Sequence, residues 1–169
     1  MAVHPSSPAP ITRDDVPSVS PAKPGAGVAW PHVVLSVLGI GAGLYAVHLH
    51  ALVMAGRATG CGISETISCD KVLGSSYGDF LGIPLGYYGA LFWALMLVSS
   101  ISGATTSPLA AAWQRLGLAS VGLATSLVLA WVSLGVLRHF CPVCATTHML
   151  SGINFLFAAW GVWRMRRSL

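Results

Sequence analysis

Four long apolar segments constrain what this chain can fold into more than any other feature of its sequence. They lie near residues 31–55, 84–103, 110–137 and 144–163. An α-helix needs about 20 residues to cross the hydrocarbon layer of a bilayer, and each segment is long enough to do so. Only 8% of the residues are charged, whereas a soluble domain carries roughly 25%. The sequence therefore predicts an all-α integral membrane protein, built as a bundle of four transmembrane helices.

The two ends of the chain differ in composition from this apolar part. Residues 1–29 contain six prolines and few large apolar side chains, which is typical of a disordered tail. We expect residues 30–163 to form the membrane domain and residues 164–169 to form a short basic tail. The first apolar segment is longer than the roughly 7–15 residues of a signal-peptide core, so we expect it to be retained as a helix.

The positions of lysine and arginine predict how the helices are oriented. With the N-terminus in the cytoplasm, six of the nine cationic residues lie on the inner side and three on the outer side. Such residues accumulate in cytoplasmic segments, so we expect a multi-pass membrane protein with both termini in the cytoplasm; in a bacterium this is the inner membrane. The loop 56–83 and the junction 138–144 then face the oxidising periplasm. The cationic residues form no basic stripe, so nucleic-acid binding is not indicated.

All four cysteines fall on this predicted outer face. Cys61 and Cys69 lie in the loop, and Cys141 and Cys144 form a C-x-x-C motif before the fourth segment. A helix N-terminus favours the thiolate, which is the attacking species in disulfide exchange. The even number indicates two disulfide couples, although three pairings are possible from the sequence. A ring as short as that of Cys141 and Cys144 is a poor structural staple, because it removes little loop entropy.

Other interpretations of the cysteines stay open at this point. Cys61 and Cys69 could form an inert structural disulfide within a non-catalytic scaffold. Alternatively, the protein could be a small membrane metal carrier that passes a soft cation such as Cu(I) or Hg(II) between thiolate pairs. A structural zinc site is disfavoured because seven residues separate Cys61 from Cys69, unlike a short-spaced ligand pair. We expect no resident metal ion.

Several motifs resemble those of the vitamin K epoxide reductase family. They are CGISETISCDKVL at 61–73, SSYG at 75–78, FLGIPL at 80–85 and FCPVCATT at 140–147. The resemblance covers about residues 30–160. It implies a four-helix membrane bundle with a quinone pocket beside the C-x-x-C motif, and an outer loop, possibly with a short helix, over the redox site. Bacterial members of this family act as thiol oxidases.

The resemblance also implies a role for each cysteine. Cys61 meets a reduced thioredoxin-like protein, Cys69 passes the electrons to Cys141, and Cys144 delivers them to a membrane quinone, either menaquinone or ubiquinone. Such a relay supports disulfide formation in exported proteins. We expect the partner to be a separate protein of the DsbA type. As a hypothesis, the glycines of the loop let Cys69 move between Cys61 and Cys141.

The expected quinone contacts are Cys144, His148, Ser75, Tyr77, Leu85 and Tyr88. The animal enzymes carry a tyrosine where this chain has His148 and an asparagine where it has Leu85. His148 could donate a hydrogen bond or a proton to a quinone oxygen, or it could be a packing residue. Leu85 cannot hydrogen-bond, so we expect quinone reduction coupled to thiol oxidation, with reduction of vitamin K epoxide as the alternative.

A few small and polar residues predict local packing. Gly39 and Gly43 have the small-x-x-x-small spacing that lets membrane helices approach closely, and Asn154 is expected to hydrogen-bond to a neighbouring helix. Asp70 is expected to be a solvated charge in the loop.

Overall fold

A computed structural model describes residues 29–62, 64–102 and 107–167. Its elements, in chain order, are α1 (Trp30–Met54), a short α2 (Cys69–Leu73), strands β1 (Asp79–Phe80) and β2 (Ile83–Pro84), α3 (Leu85–Ser102), α4 (Pro108–Trp131) and α5 (Pro142–Arg166). The chain is thus mostly helical, with four long helices close to the four predicted segments. The predicted tail lies outside the described residues except for its last residue.

The ends of the long helices follow local capping chemistry. Pro108 and Pro142 begin α4 and α5, where a missing N–H does no harm. The Ser107 hydroxyl accepts a hydrogen bond from the Ala110 N–H at 3.3 Å and caps α4. α5 extends to Arg166, so the helix includes the first three residues of the segment expected to be a basic tail.

The third predicted segment does not end as a regular helix. After α4 the chain forms a π-helical turn, Val132–Val136. The helical conformation has ended at Arg138, whose φ is +57°. The Ser133 hydroxyl donates to the His139 carbonyl at 2.7 Å, which ties this turn to the residues just before the C-x-x-C motif.

Within the described residues, three helical segments are long and apolar enough to cross a membrane: α1, α3, and α4 continued through the π-helical turn. The predicted count of four is not reached by this measure, because α5 is long but contains several polar side chains. They are Thr146, Thr147, His148, Ser151 and Asn154.

Small residues allow α1 to pack closely against α3. A side chain on Gly39 would collide with the Trp93 ring, and a Cβ on Gly43 would lie 2.9 Å from the Ala90 backbone nitrogen. The predicted role of the two glycines in helix packing is confirmed. The prediction for Asn154 is also confirmed, since its Oδ1 lies 2.6 Å from Nδ1 of His32 on α1.

Neighbouring helices run in alternating directions, so the bundle has two distinct ends. The end of α1 and the beginnings of α3 and α5 lie beside α2 and all four cysteines, and we call this the cysteine end. At the opposite end, Arg166 near the end of α5 lies over the ring of Trp113 near the beginning of α4, at 4.9 Å. This polarity separates the site described below from a second cluster of polar residues.

The loop over the cysteine end is more structured than an all-α prediction allows. It contains the short helix α2 and an antiparallel hairpin in which Asp79 pairs with Pro84 and Phe80 with Ile83. The hairpin was not predicted, because two strands of two residues carry no detectable alternation. Its turn places Leu81 at a φ of +55° and Gly82 at +75°.

Candidate active site

The loop cysteines are joined to each other. Cys61 and Cys69 form a disulfide with their Cα atoms 5.5 Å apart, and Cys141 and Cys144 are free thiols. Cys69 is the first residue of α2 and is fully buried, whereas Cys61 is partly exposed. The Ser68 hydroxyl caps α2 by accepting the Lys71 N–H at 3.4 Å. Of the three pairings that the sequence allowed, the structure has the one within the loop.

The two cysteine pairs meet at a sulfur–sulfur contact. The Sγ atom of Cys141 lies 3.6 Å from the Sγ atom of Cys69. Both residues are buried in an apolar cluster with Leu49 and Leu73. Cys69 is therefore bonded to Cys61 and also in contact with Cys141, so one short step separates this arrangement from a disulfide between the pairs.

Backbone hydrogen bonds hold the loop in this position. Phe140 N–H donates to the Thr66 carbonyl at 2.8 Å, and Ser68 N–H donates to the Phe140 carbonyl at 3.0 Å. This short parallel bridge pairs Ile67, two residues before Cys69, with Phe140, the residue before Cys141. That a mobile loop carries Cys69 over to Cys141 stays a hypothesis, and in this structure the two sulfurs are already in contact.

A histidine fixes the other end of α2. Nδ1 of His50, a buried residue of α1, lies 2.8 Å from the carbonyl oxygen of Leu73, the last residue of α2. Because a carbonyl only accepts, this nitrogen carries the hydrogen. His50 was not identified from the sequence, although a histidine near the end of an apolar helix indicates a polar partner close by.

Asp70 has a structural role that the sequence did not predict. Its carboxylate accepts hydrogen bonds from the Thr59 N–H at 3.3 Å and from the Thr59 hydroxyl. The Thr59 hydroxyl oxygen in turn accepts the Cys61 N–H at 3.3 Å. Asp70 is partly buried and connects α2 to the backbone of Cys61, a role that goes beyond the expected solvated loop charge.

The surroundings of Cys141 favour its thiolate. Cys141 is the N-cap of α5, and its Sγ accepts the Cys144 N–H at 3.2 Å. A hydrogen bond from the Cys144 side chain, reinforced by the N–H groups of Cys144 and Val143, lowers the pKa of Cys141 against the opposing effect of burial. The sequence-based expectation of a helix-terminal thiolate agrees with this direction.

An apolar cavity of about 350 Å³ lies directly below the cysteine end, between α1, α3, α4 and α5. This volume is within the range of pockets that hold small organic molecules. Five of the six expected quinone contacts line it: Tyr77, Leu85, Tyr88, Cys144 and His148. Ser75 does not, because its hydroxyl donates to the Val72 carbonyl at 2.7 Å and accepts the Tyr77 N–H at 3.2 Å within the turn after α2.

The cavity wall includes a polar pair formed by two helices. Nδ1 of His148 on α5 lies 2.9 Å from the hydroxyl oxygen of Ser126 on α4, and both residues line the cavity. Ser126 was not among the expected site residues. Ser126 and its neighbour Thr125 interrupt an otherwise apolar stretch of α4, and this was the available signal for a polar partner on another helix.

Residues 29–62, 64–102 and 107–167 contain no group of three or more histidine, cysteine or acidic side chains placed to hold a metal ion. The polar groups in the cavity wall are the thiol of Cys144, the imidazole of His148 and a few hydroxyl groups.

These features define a class of protein. Apolar helices of membrane-spanning length enclose a cavity with a thiol in its wall, and that thiol belongs to a pair in contact with a disulfide. The class is that of multi-pass membrane proteins suited to thiol–disulfide chemistry next to an apolar ligand.

Comparisons with known proteins identify the family within this class. The sequence profile of the Vitamin K epoxide reductase family matches residues 30–159. The chain is 32% identical to mouse (Mus musculus) Vitamin K epoxide reductase complex subunit 1 over 140 residues, covering 70% of this chain and 81% of the mouse protein. It is 31% identical to the rat (Rattus norvegicus) protein of the same name, with the same coverage. The chain belongs to the vitamin K epoxide reductase family, whose members are membrane oxidoreductases that couple thiol–disulfide chemistry to quinones.

Proposed function

We propose that this protein transfers electrons from a reduced thioredoxin-like protein to a membrane quinone, and so supports disulfide formation in exported proteins. The single observation that carries this proposal is the 3.6 Å contact between the sulfurs of Cys69 and Cys141. It connects a disulfide in the loop to a thiol pair at the cavity, as an electron relay requires.

The first half of the relay is two thiol–disulfide exchanges. The partner, a separate protein of the DsbA type, reduces the Cys61–Cys69 disulfide by attack on the partly exposed Cys61, and is itself released as a disulfide. The Cys69 thiolate then attacks Cys141 of a Cys141–Cys144 disulfide and releases the Cys144 thiolate. Finally Cys61 attacks Cys69 and releases Cys141. Two electrons have then moved from the loop to the C-x-x-C pair, which gives the arrangement described above.

The second half of the relay takes place at the cavity. Cys141 and Cys144 form a disulfide again, and the two electrons and two protons reduce the quinone to the quinol. Cys144 lines the cavity and acts as the contact to the quinone, while His148 donates a hydrogen bond to a quinone oxygen and delivers a proton. Tyr77 and Tyr88 contribute to the wall. Menaquinone and ubiquinone both fit this chemistry.

Leu85 favours quinone over vitamin K epoxide as the substrate. It lines the cavity and offers no hydrogen bond, whereas the animal enzymes carry an asparagine at this position. Ser75 is left out of the proposed quinone site because its hydroxyl is engaged in the turn after α2.

In the membrane, α5 completes a four-helix bundle with the three apolar helices. Both termini lie in the cytoplasm, and the cysteine end faces the periplasm. The distribution of charge supports this orientation: among the described residues, the opposite end carries four arginines, and every acidic residue lies in the loop at the cysteine end. The membrane domain then extends from about residue 30 to the end of α5, between a tail of residues 1–29 and the basic C-terminal residues.

The test is quinone reduction by the purified protein, with a reduced thioredoxin-like donor or with a small thiol. We expect wild type to turn over with both donors. Cys144→Ser should be inactive with both. Cys61→Ser should fail with the protein donor but retain activity with the small thiol, which can reduce the inner pair directly. Quinone reduction by Cys144→Ser at the wild-type rate, or tight binding of a thiophilic metal by a wild type that reduces no quinone, would overturn the proposal.

A further inference from the structure

A buried polar cluster lies away from the cysteines and takes no part in the proposed relay. It consists of His32 of α1, Arg115 of α4 and Asn154 of α5, whose side chains are 6%, 8% and 0% exposed. The imidazole of His32 is hydrogen-bonded to the side-chain amide of Asn154. The guanidinium of Arg115 is close enough to His32 to interact with it electrostatically. His32 is the third residue of α1 and Arg115 is the eighth residue of α4, so the cluster lies toward the end opposite the cysteines.

The guanidinium of Arg115 presents two unused donors. Its Nε and Nη2 atoms are buried and form no hydrogen bond with any described residue. These two nitrogens lie on one edge of the planar guanidinium, and their parallel N–H groups match two oxygens of one carboxylate or phosphate. Nδ2 of Asn154, in the same cluster, is also buried without a partner. A buried cation without a counter-charge is costly, so this edge calls for an anionic ligand.

The described residues supply no such ligand. Their only acidic residues are Glu65, Asp70 and Asp79, and all three lie in the loop at the cysteine end. The opposite end is instead rich in positive charge, because Arg164, Arg166 and Arg167 lie over the rings of Trp160, Trp113 and Trp163. Basic sites between transmembrane helices bind the phosphate headgroups of anionic lipids.

We propose that the Nε–Nη2 edge of Arg115 binds a phosphate oxyanion. The oxyanion belongs either to the headgroup of an anionic phospholipid in the leaflet at the opposite end, or to free phosphate. The site is independent of the cysteines and of the quinone cavity, since Arg115 does not line the cavity and lies toward the opposite end of the bundle.

The test uses the full-length protein in a neutral detergent. Phosphatidylglycerol, phosphatidylcholine or inorganic phosphate is added in separate titrations, and the rise in the midpoint of thermal unfolding gives an apparent Kd for each. The titrations are made at about 1 M salt, where the Debye length of about 3 Å screens exposed charges. We expect phosphatidylglycerol to stabilise the wild type at lower concentration than phosphatidylcholine. If inorganic phosphate stabilises it equally well, the oxyanion is the free ion.

Three variants separate this site from general attraction to basic residues. Arg115→Gln removes two charge-assisted hydrogen bonds and should weaken the anion's apparent Kd on the order of a hundredfold. Arg164→Gln removes an exposed arginine at the same end and should weaken it by no more than about fivefold. If Arg115→Gln does not fold, Arg115→Lys keeps the charge but loses the paired donors, and should weaken binding by about tenfold.

Two results would overturn the proposal. One is that inorganic phosphate does not raise the unfolding midpoint of the wild type and that the two lipids raise it equally. The other is unchanged anion binding in every Arg115 variant that folds. The first result, combined with a loss of stability in Asp14→Asn/Asp15→Asn equal to that of Arg115→Gln, would assign the counter-charge to carboxylates of the N-terminal segment instead.

Discussion

At Cys141, several donors converge on one sulfur that also contacts the Cys61–Cys69 disulfide. The thiol of Cys144 and the backbone N–H groups of Cys144 and Val143 all direct hydrogens toward it. Each of these contacts follows from the position of Cys141 at the N-cap of α5, three residues before Cys144. The sequence could therefore predict the character of this thiol, whereas its contact with Cys69, 72 residues earlier, depends on the fold.

The lowered pKa of Cys141 predicts how thiolate formation depends on pH. With Cys61 and Cys69 oxidised, the thiolate absorbance should be half-developed below the ordinary thiol pKa of about 8.5. Cys144→Ala removes the largest cause of the shift and should move this midpoint upward, whereas Cys141→Ala should abolish the low-pH step. Because folding lowers this pKa, the thiolate stabilises the fold fully above the unfolded-state pKa, and this contribution is lost as pH falls through the folded-state pKa. A midpoint at or above 8.5 in the wild type would contradict the prediction.

The Ser126–His148 pair predicts a specific defect in quinone reduction. Ser126→Ala removes the partner of His148 Nδ1, so the imidazole loses its fixed orientation in the cavity wall. A hydrogen bond of this kind contributes about 1 kcal/mol, so kcat for quinone reduction should fall about fivefold. Exchange between the two cysteine pairs should keep its rate, since Ser126 does not contact them. Ser126→Thr retains the hydroxyl and is the control; equal rates in all three proteins would show that Ser126 does not position His148.

At the scale of elements, α2 is the part of the fold that sets the relay geometry. It is only five residues long, so it has too few internal hydrogen bonds to be stable alone. The parallel bridge between Ile67 and Phe140 holds the chain just before it, and His50 holds its last carbonyl. Its stability is therefore tertiary, and it depends on contacts with α1 and with the segment before α5.

Removing the His50 hydrogen bond should slow transfer between the cysteine pairs. His50→Leu leaves the Leu73 carbonyl buried and unpaired, which costs about 1–3 kcal/mol. The fraction of molecules in which the Cys69 sulfur contacts the Cys141 sulfur should therefore fall at least about fivefold. The readout is acid-quenched trapping of transfer from reduced Cys61 and Cys69 to the Cys141–Cys144 disulfide. His48→Leu, at an exposed position two residues earlier, should leave the rate unchanged. A rate in His50→Leu equal to that of His48→Leu would exclude this role for His50.

The sequence predicted the long elements and missed the short ones, for a physical reason. Twenty or more apolar residues leave few alternatives to a helix in a membrane, so the four segments matched to within a few residues at most ends. The bridge between Ile67 and Phe140 joins residues 73 positions apart, and the hairpin has only two residues in each strand. Neither leaves a local pattern. The turn that engages the Ser75 hydroxyl, and so keeps Ser75 out of the cavity wall, likewise leaves no local pattern.

At the scale of the whole molecule, the bundle depends on close approach of α1 and α3. Gly43 and Gly86 face each other, and a Cβ on Gly43 would lie 2.9 Å from the Ala90 nitrogen and 3.0 Å from the Gly86 carbonyl oxygen. Both contacts are with backbone atoms, which cannot rotate away. The spacing of Gly39 and Gly43 predicted this packing, but the identity of the partner helix came only from the fold.

Two neighbouring glycines of α1 should respond differently to the same substitution. Gly43→Ala forces α1 and α3 apart and should destabilise the protein by about 1–3 kcal/mol, as overpacking commonly does. Gly41→Ala meets nothing within 4 Å and should be neutral or stabilising by up to about 1 kcal/mol, because alanine is the better helix former. Thermal unfolding in detergent measures both. A midpoint for Gly43→Ala at or above that of Gly41→Ala would contradict the described packing.

The contact of Cys69 with two sulfurs has a kinetic consequence for the proposed relay. A sulfur in a disulfide has one covalent partner, so Cys69 cannot be bonded to Cys61 and Cys141 at the same time, and each electron pair from the donor protein passes through this one atom. In the order of steps proposed above, the donor protein is released as a disulfide before the electrons reach Cys141 and Cys144, and a second donor waits until the first pair of electrons has left the loop. Such an enzyme follows a ping-pong rate law, in which raising either substrate alone brings the rate to a limit set by the other.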